Sequence, residues 1–302
     1  MPERYDLRAV LSSVCLTLAL TAHAALAQKG TGPYPAIMET DKGLPTHTVY
    51  RPAALNAFGS SRRLPIVSWG NGGCANAGDS ARKFLTEIAS HGLLVIAVGP
   101  IVGARPEPSS APPPNAPPRF APATRAGQLT QAIDWAVAES TRSGSQYFGK
   151  LDTSEIAIMG YSCGGLQALA QSLDTRIRTL VLLNSGVLPE SERRPGMDVT
   201  KDVLAKLHVP VAYIAGGPSD IAYKNAADDV SRIHGAPVFF GNIDVGHAGT
   251  YQEPNGGAYG AVASAWLEWQ LLGDKKAAKT FVGADCRLCI DPKWTVEKHG
   301  ID

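Results

Sequence analysis

Residues 155–170 restrict what this chain can fold into more than any other stretch. Ile156 to Met159 is a short apolar run with β-branched isoleucines, as in a buried strand. From Leu166 onward the residues are Leu, Ala and Gln, which favour helix. Between them lies Gly160-Tyr161-Ser162-Cys163-Gly164, a G-x-S-x-G. That pattern puts a serine on a strained strand-to-helix turn, with glycines on either side so that strand and helix approach closely. The helix N-terminus beneath the serine offers backbone N–H groups and a partial positive charge to a developing oxyanion. A bare G-x-S-x-G arises by chance in many proteins, and only its setting between strand and helix gives it chemical meaning.

The rest of the chain repeats the alternation. Residues 64–69, 93–98, 177–183, 209–215 and 237–240 read as buried strands. Helices are expected over 80–91, 124–140, 199–207, 222–233 and 257–271. Residues 28–45 read as an irregular lead-in, 46–50 as an edge strand and 184–196 as a short variable region. The span from 280 reads as a cysteine-containing tail. Proline is so dense over 99–122 that regular structure is excluded there, and a long surface loop of polyproline character is expected. This order implies an α/β fold: one domain over 28–302, its mostly parallel sheet covered by helices on both faces. In such a sheet, ligands sit beyond the carboxyl ends of the strands.

Composition narrows the function classes. The 302 residues are 44% hydrophobic and 18% charged, with a formal net charge of +1, which argues against nucleic acid or an anionic membrane surface as partner. Residues 1–27 read as a secretory signal peptide: Arg4 and Arg8, an apolar run over 9–20, and Ala25-Leu26-Ala27 before Gln28. The run is too short to span a membrane, no later stretch is apolar for long enough, and Cys15 after Val14 does not suit a lipoprotein anchor. A secreted or periplasmic location is expected. Cys74, Cys163, Cys286 and Cys289 then remain, an even number that suits disulfides. Zinc is the competing reading of Cys286 and Cys289, but no second ligand pair follows at finger-like spacing. No metal or cofactor is expected, and the absence of Gly-Lys-Ser/Thr and G-x-G-x-x-G argues against a phosphate-binding loop.

A nucleophilic Ser162 needs a base and a carboxylate to orient that base. His91, His208 and His234 end helices just before strands, on the wrong edge of the sheet, where the helix dipole alone accounts for them. His47 lies on the early strand and His299 in the tail. Only His247 follows a strand at its carboxyl end and precedes the final helix. For the acid, Asp220 lies on the correct edge and gives the chain order Ser162, Asp220, His247. Asp244 and Asp198 share that edge and stay open as alternatives, whereas Asp228 and Asp229 read as a solvated helix face. The oxyanion donors expected are the backbone N–H groups of Cys163, after the nucleophile, and Asn71, in the Gly-rich turn after the strand 64–69.

These residues resemble the α/β-hydrolase superfamily. Residues 84–97 and 151–160 are similar to the dienelactone-hydrolase-like branch, which includes bacterial cutinase-type polyester hydrolases and plant chlorophyllases. The resemblance implies an exported serine esterase: Ser162, Asp220 and His247 as triad, Asn71 and Cys163 as oxyanion donors, and a small-molecule or polymeric ester as substrate. Three departures stand out. The aromatic clamp of polyester hydrolases is replaced by Asn184-Ser185-Gly186, the His or Trp before the serine is Tyr161, and the 99–122 loop is longer. Esterase is supported, a polyester substrate is not. A non-catalytic binding protein on the same fold is the competing class, for which the sequence offers only the unusual Cys163 beside the serine.

Two further expectations follow from the site. Asn71 and Cys163 must aim at one oxygen, and Cys74 is three residues beyond Asn71. Their cysteines therefore fall within the roughly 4.4–6.8 Å Cα separation of a disulfide. A Cys74–Cys163 bridge is expected, with Cys286–Cys289 as a local second; the alternative is a buried free thiol at Cys163. Part of 105–120 is expected to overhang the site, the alternative being a surface insertion.

Overall fold

The computed structural model describes residues 29–103, 122–193 and 197–302. The signal peptide reading, and the expectation that 105–120 overhangs the site, lie outside the described residues. In chain order the elements are β1 (Ala36–Glu39), β2 (His47–Pro52), β3 (Leu64–Gly70), α1 (Arg82–Ser90), β4 (Leu94–Val98) and α2 (Gly127–Thr141). They continue with β5 (Leu151–Tyr161), α3 (Cys163–Ala170), β6 (Ile177–Leu183), β7 (Val211–Ala215), α4 (Tyr223–Arg232) and β8 (Val238–Ile243). Last come α5 (Gly257–Leu272), α6 (Lys275–Ala278) and β9 (Trp294–His299).

All nine of these strands join one sheet, ordered β1-β2-β4-β3-β5-β6-β7-β8-β9. The block from β4 to β8 is parallel; β2 and β9 run against it, and β1 pairs antiparallel with β2 at one edge. The sheet is buried on both faces, and its side chains divide by the two-residue period of a strand. Ile66, Ile158, Leu180 and Tyr213 pack with α2, α3 and α4. Val67, Met159, Val181 and Ile214 pack with α1 and α5 on the other side. Near-continuous apolar strands are what a doubly covered parallel sheet requires.

Several expectations need correction. The lead-in is not wholly irregular: β1 pairs with β2, so β2 is an interior strand with all six residues buried. The helix expected over 199–207 is a short 3-10 turn, Lys201–Lys206, which buries only Leu204. One buried side chain gives this six-residue stretch no apolar face on which an α-helix could pack. The tail contains β9, which pairs antiparallel with β8, so His299 lies on an edge strand. The signal was there, in half-buried Trp294 and Val296 alternating with exposed Thr295 and Glu297. β5 is longer than the apolar run because Asp152 to Glu155 extend it at the amino end, with Leu151 and Asp152 still paired to β3.

The order matters for the site. From β3 the chain crosses to β4 on one side, then returns to β5 on the other. A crevice opens where the direction of winding reverses, beyond the carboxyl ends of the strands.

Candidate active site

Ser162 follows β5 directly and precedes α3, with φ 52° and ψ −119°. A non-glycine residue held there costs on the order of 1–3 kcal/mol, so the turn must be held from outside. Its N–H donates to the Leu183 carbonyl at 2.9 Å, and its carbonyl accepts from Ser185 Oγ at 2.8 Å and Gly165 N at 2.9 Å. Glycine is needed at 164: a Cβ there would sit 2.1 Å from the Gly70 carbonyl and 2.7 Å from Asn71 N. The serine turn and the loop after β3 therefore meet backbone to backbone.

His247, in the loop after β8, brings Nε2 within 2.9 Å of Ser162 Oγ and Nδ1 within 2.6 Å of Asp220 Oδ1. An ionised carboxylate only accepts, so in the neutral imidazole Nδ1 carries the hydrogen and Nε2 accepts from the serine hydroxyl. The His247 side chain keeps 25% of its surface exposed, while that of Asp220 has none. Burial pushes the Asp220 carboxyl up; hydrogen bonds from His247, Ala222 N, Gly216 N and Asn184 outweigh it and hold the group below the usual carboxylate range. Asp220 thus stays charged although its side chain is fully buried.

The other candidates lie elsewhere. Asp244 accepts from Ser219 Oγ, and Asp198 is exposed. Asp229 is not on a solvated face: it is fully buried and accepts from Val187 N, Tyr213 Oη and Lys201 Nζ. Burial, only partly offset by these bonds, raises its carboxyl to about 6. His47 is buried against the Gln128 carbonyl, and His91 sits between Glu87 and Glu268.

On the other side of Ser162, the Asn71 side chain is fully engaged. Oδ1 accepts from Trp69 Nε1 and Ser80 Oγ, and Nδ2 donates to the carbonyls of Ala75 and Val98. Only its main chain is left to face the site. Cys74 and Cys163 stand at disulfide distance, with Cα atoms 5.2 Å apart, and so do Cys286 and Cys289 at 4.9 Å. The first pair joins the two backbones expected to donate to one oxygen.

Three supporting residues were not legible beforehand. Asn184, at the carboxyl end of β6 with φ 44°, donates from Nδ2 to Asp220 Oδ2 at 2.8 Å. Its Oδ1 accepts from the buried Tyr251 hydroxyl at 2.7 Å. Tyr161 Oη donates to the His247 carbonyl at 3.0 Å, and its ring packs on Tyr251. An asparagine closing a strand and followed by Ser-Gly hints at a left-handed turn, but not at its partners.

A pocket of about 290 Å³ opens on Ser162. Its wall combines Leu166 of α3, Leu188 after β6, Met197, and Ile221, Ala222 and Asn225 around the start of α4. Among the described residues no group of three or more His, Cys, Asp or Glu could hold a metal ion, and no helix is long and apolar enough to cross a membrane. No family model matches the chain, and no curated protein matches it.

Proposed function

We propose that the protein is a serine hydrolase of the α/β-hydrolase type that cleaves carboxylic esters. The observation that carries this reading is the unbroken relay from Ser162 Oγ through His247 to buried Asp220, starting at a left-handed serine. In the first step Ser162 Oγ attacks the ester carbonyl and passes its proton to His247 Nε2. The carbonyl oxygen takes the negative charge and is met by the backbone N–H groups of Asn71 and Cys163. Collapse breaks the bond to the alcohol, which leaves with the proton from His247. Water, deprotonated by the same nitrogen, then attacks the acyl-Ser162, and the acid leaves as His247 returns the proton to Ser162 Oγ. Asp220 stays ionised and stabilises the imidazolium that forms twice in the cycle.

The disulfide-distance cysteine pairs agree with export to an oxidising compartment, as the leader-like N-terminus would direct. The decisive experiment pairs Ser162→Ala with a fluorophosphonate probe. The parent protein is expected to label and to hydrolyse p-nitrophenyl butyrate, and the variant to do neither while keeping its circular dichroism spectrum. Turnover surviving in Ser162→Ala would sink the assignment.

A further inference from the structure

The pocket beside Ser162 has a wall with one polar side chain unaccounted for. Asn184 is committed to Asp220 and Tyr251, and Ser185 to the Ser162 carbonyl. Asn225, in the first turn of α4, also lines the pocket. Its backbone carbonyl takes Lys201 Nζ at 3.4 Å, but its side-chain amide has no hydrogen bond among the described residues. A Cβ built on Gly186 would come 2.9 Å from Asn225 Cβ and 2.4 Å from Ala226 N. The side chain of Asn225 therefore starts against the bare glycine wall. The same crowding leaves no room for a larger residue at 186.

Among the described residues the remaining wall is aliphatic, from Leu166, Leu188, Met197 and Ile221, with no aromatic ring and no charged side chain besides the triad histidine. A charged substituent would enter it unpaired, which is disfavoured. At about 290 Å³ the pocket is at the small end of ligand sites. On the reading of Ser162 as nucleophile, the acyl part is the group this pocket can act on throughout, because it stays on Ser162 through both steps while the alcohol leaves after the first. The half-buried Asn225 amide, with no protein partner among the described residues, can exchange water for an oxygen on that acyl chain.

We propose that Asn225 is a specificity-determining residue that favours esters of short aliphatic acids carrying a neutral oxygen substituent, such as a hydroxyl group. The test compares kcat/KM for p-nitrophenyl esters matched in shape: 3-hydroxybutanoate against 3-methylbutanoate, and 2-hydroxypropanoate against 2-methylpropanoate. Each ratio is corrected for the spontaneous hydrolysis of the same ester. The parent protein is expected to prefer the hydroxy ester of at least one pair by about five- to tenfold, the worth of one neutral hydrogen bond. In Asn225→Leu that preference should vanish, with fluorophosphonate labelling of Ser162 retained. A parent protein that labels but prefers the methyl ester in both pairs overturns the proposal, whatever the variant does. So does an unchanged ratio in Asn225→Leu. A parent protein that neither labels nor turns over any ester overturns the serine hydrolase reading itself, and this proposal with it.

Discussion

Asn184 Nδ2 lies 2.8 Å from Asp220 Oδ2, the carboxylate oxygen that His247 does not use. Asp220 is thereby held from both sides, and the tyrosine that fixes Asn184 in turn, Tyr251, is fully buried. Removing the amide leaves Asp220 Oδ2 with Gly216 N and takes a partner from the hydroxyls of both Tyr251 and Tyr259. Asn184→Ala is expected to lower kcat by on the order of tenfold to a hundredfold through a shifted imidazole, with KM little changed. It should also cost about 1–3 kcal/mol of stability in urea titration. An unaltered kcat in a folded Asn184→Ala would show that Gly216 and Ala222 alone hold the acid.

On the serine hydrolase reading Asp220 is the proposed acid, with Asp244 and Asp198 as alternatives; Asp220 is hydrogen-bonded to His247, whereas Asp244 accepts from Ser219. Asp220→Asn should lower kcat by about two to four orders of magnitude, because a carboxamide no longer holds the imidazole in the productive tautomer. Asp244→Asn, which disturbs only the Ser219 contact, should leave kcat within a factor of about two. Steady-state kinetics on the two variants side by side makes the comparison, and a reversed order rejects the assignment.

The Cys74–Cys163 pair ties the loop after β3 to the start of α3. Replacing both by alanine keeps both proposed backbone donors but frees their spacing. We expect kcat to fall about tenfold or more at nearly constant KM, since misaligned donors weaken only the transition state. Stability should drop by about 2–4 kcal/mol. Cys286→Ala with Cys289→Ala serves as the control and should leave kcat unchanged. A larger effect on KM than on kcat would speak against a role in oxyanion binding.

His91 couples α1 to α5, with Nδ1 2.7 Å from Glu268 and Nε2 3.2 Å from Glu87. Burial pulls the ring down, but hydrogen bonds with Glu268 and Glu87 outweigh it and raise it from 6.5 to about 9. A raised histidine stabilises the fold fully below its unfolded value, and that contribution is lost as pH rises through the folded one. Between about pH 6.5 and pH 9 the protein should therefore lose about 1–3 kcal/mol, allowing for the partial exposure of the pair. Urea titrations across this range should show a smaller loss in His91→Gln. Parallel curves for the two proteins would remove His91 as the cause.

What the sequence determined by itself was local or topological. Periodicity set the buried strands, because a side chain alternates faces within two residues whatever the rest of the chain does. The glycines around Ser162 specified the turn, since only they let α3 approach β5 and the loop after β3. His247 followed from the rule that ligands gather at carboxyl ends, which needs the order of elements and not their contacts. The tertiary structure decided what depends on distant partners. Asn184 meets Asp220 across 36 residues and Tyr251 across 67, and no local pattern encodes such a meeting. Asp229, on a helix that looks solvated, is buried because Tyr213 of β7 and Lys201 close over it. Residues 294–299 alternate as a strand would, but their place in the sheet depends on the edge that β8 offers. In each case free energy is gained only when two remote segments come together, so the information lies in their packing and not in either segment alone.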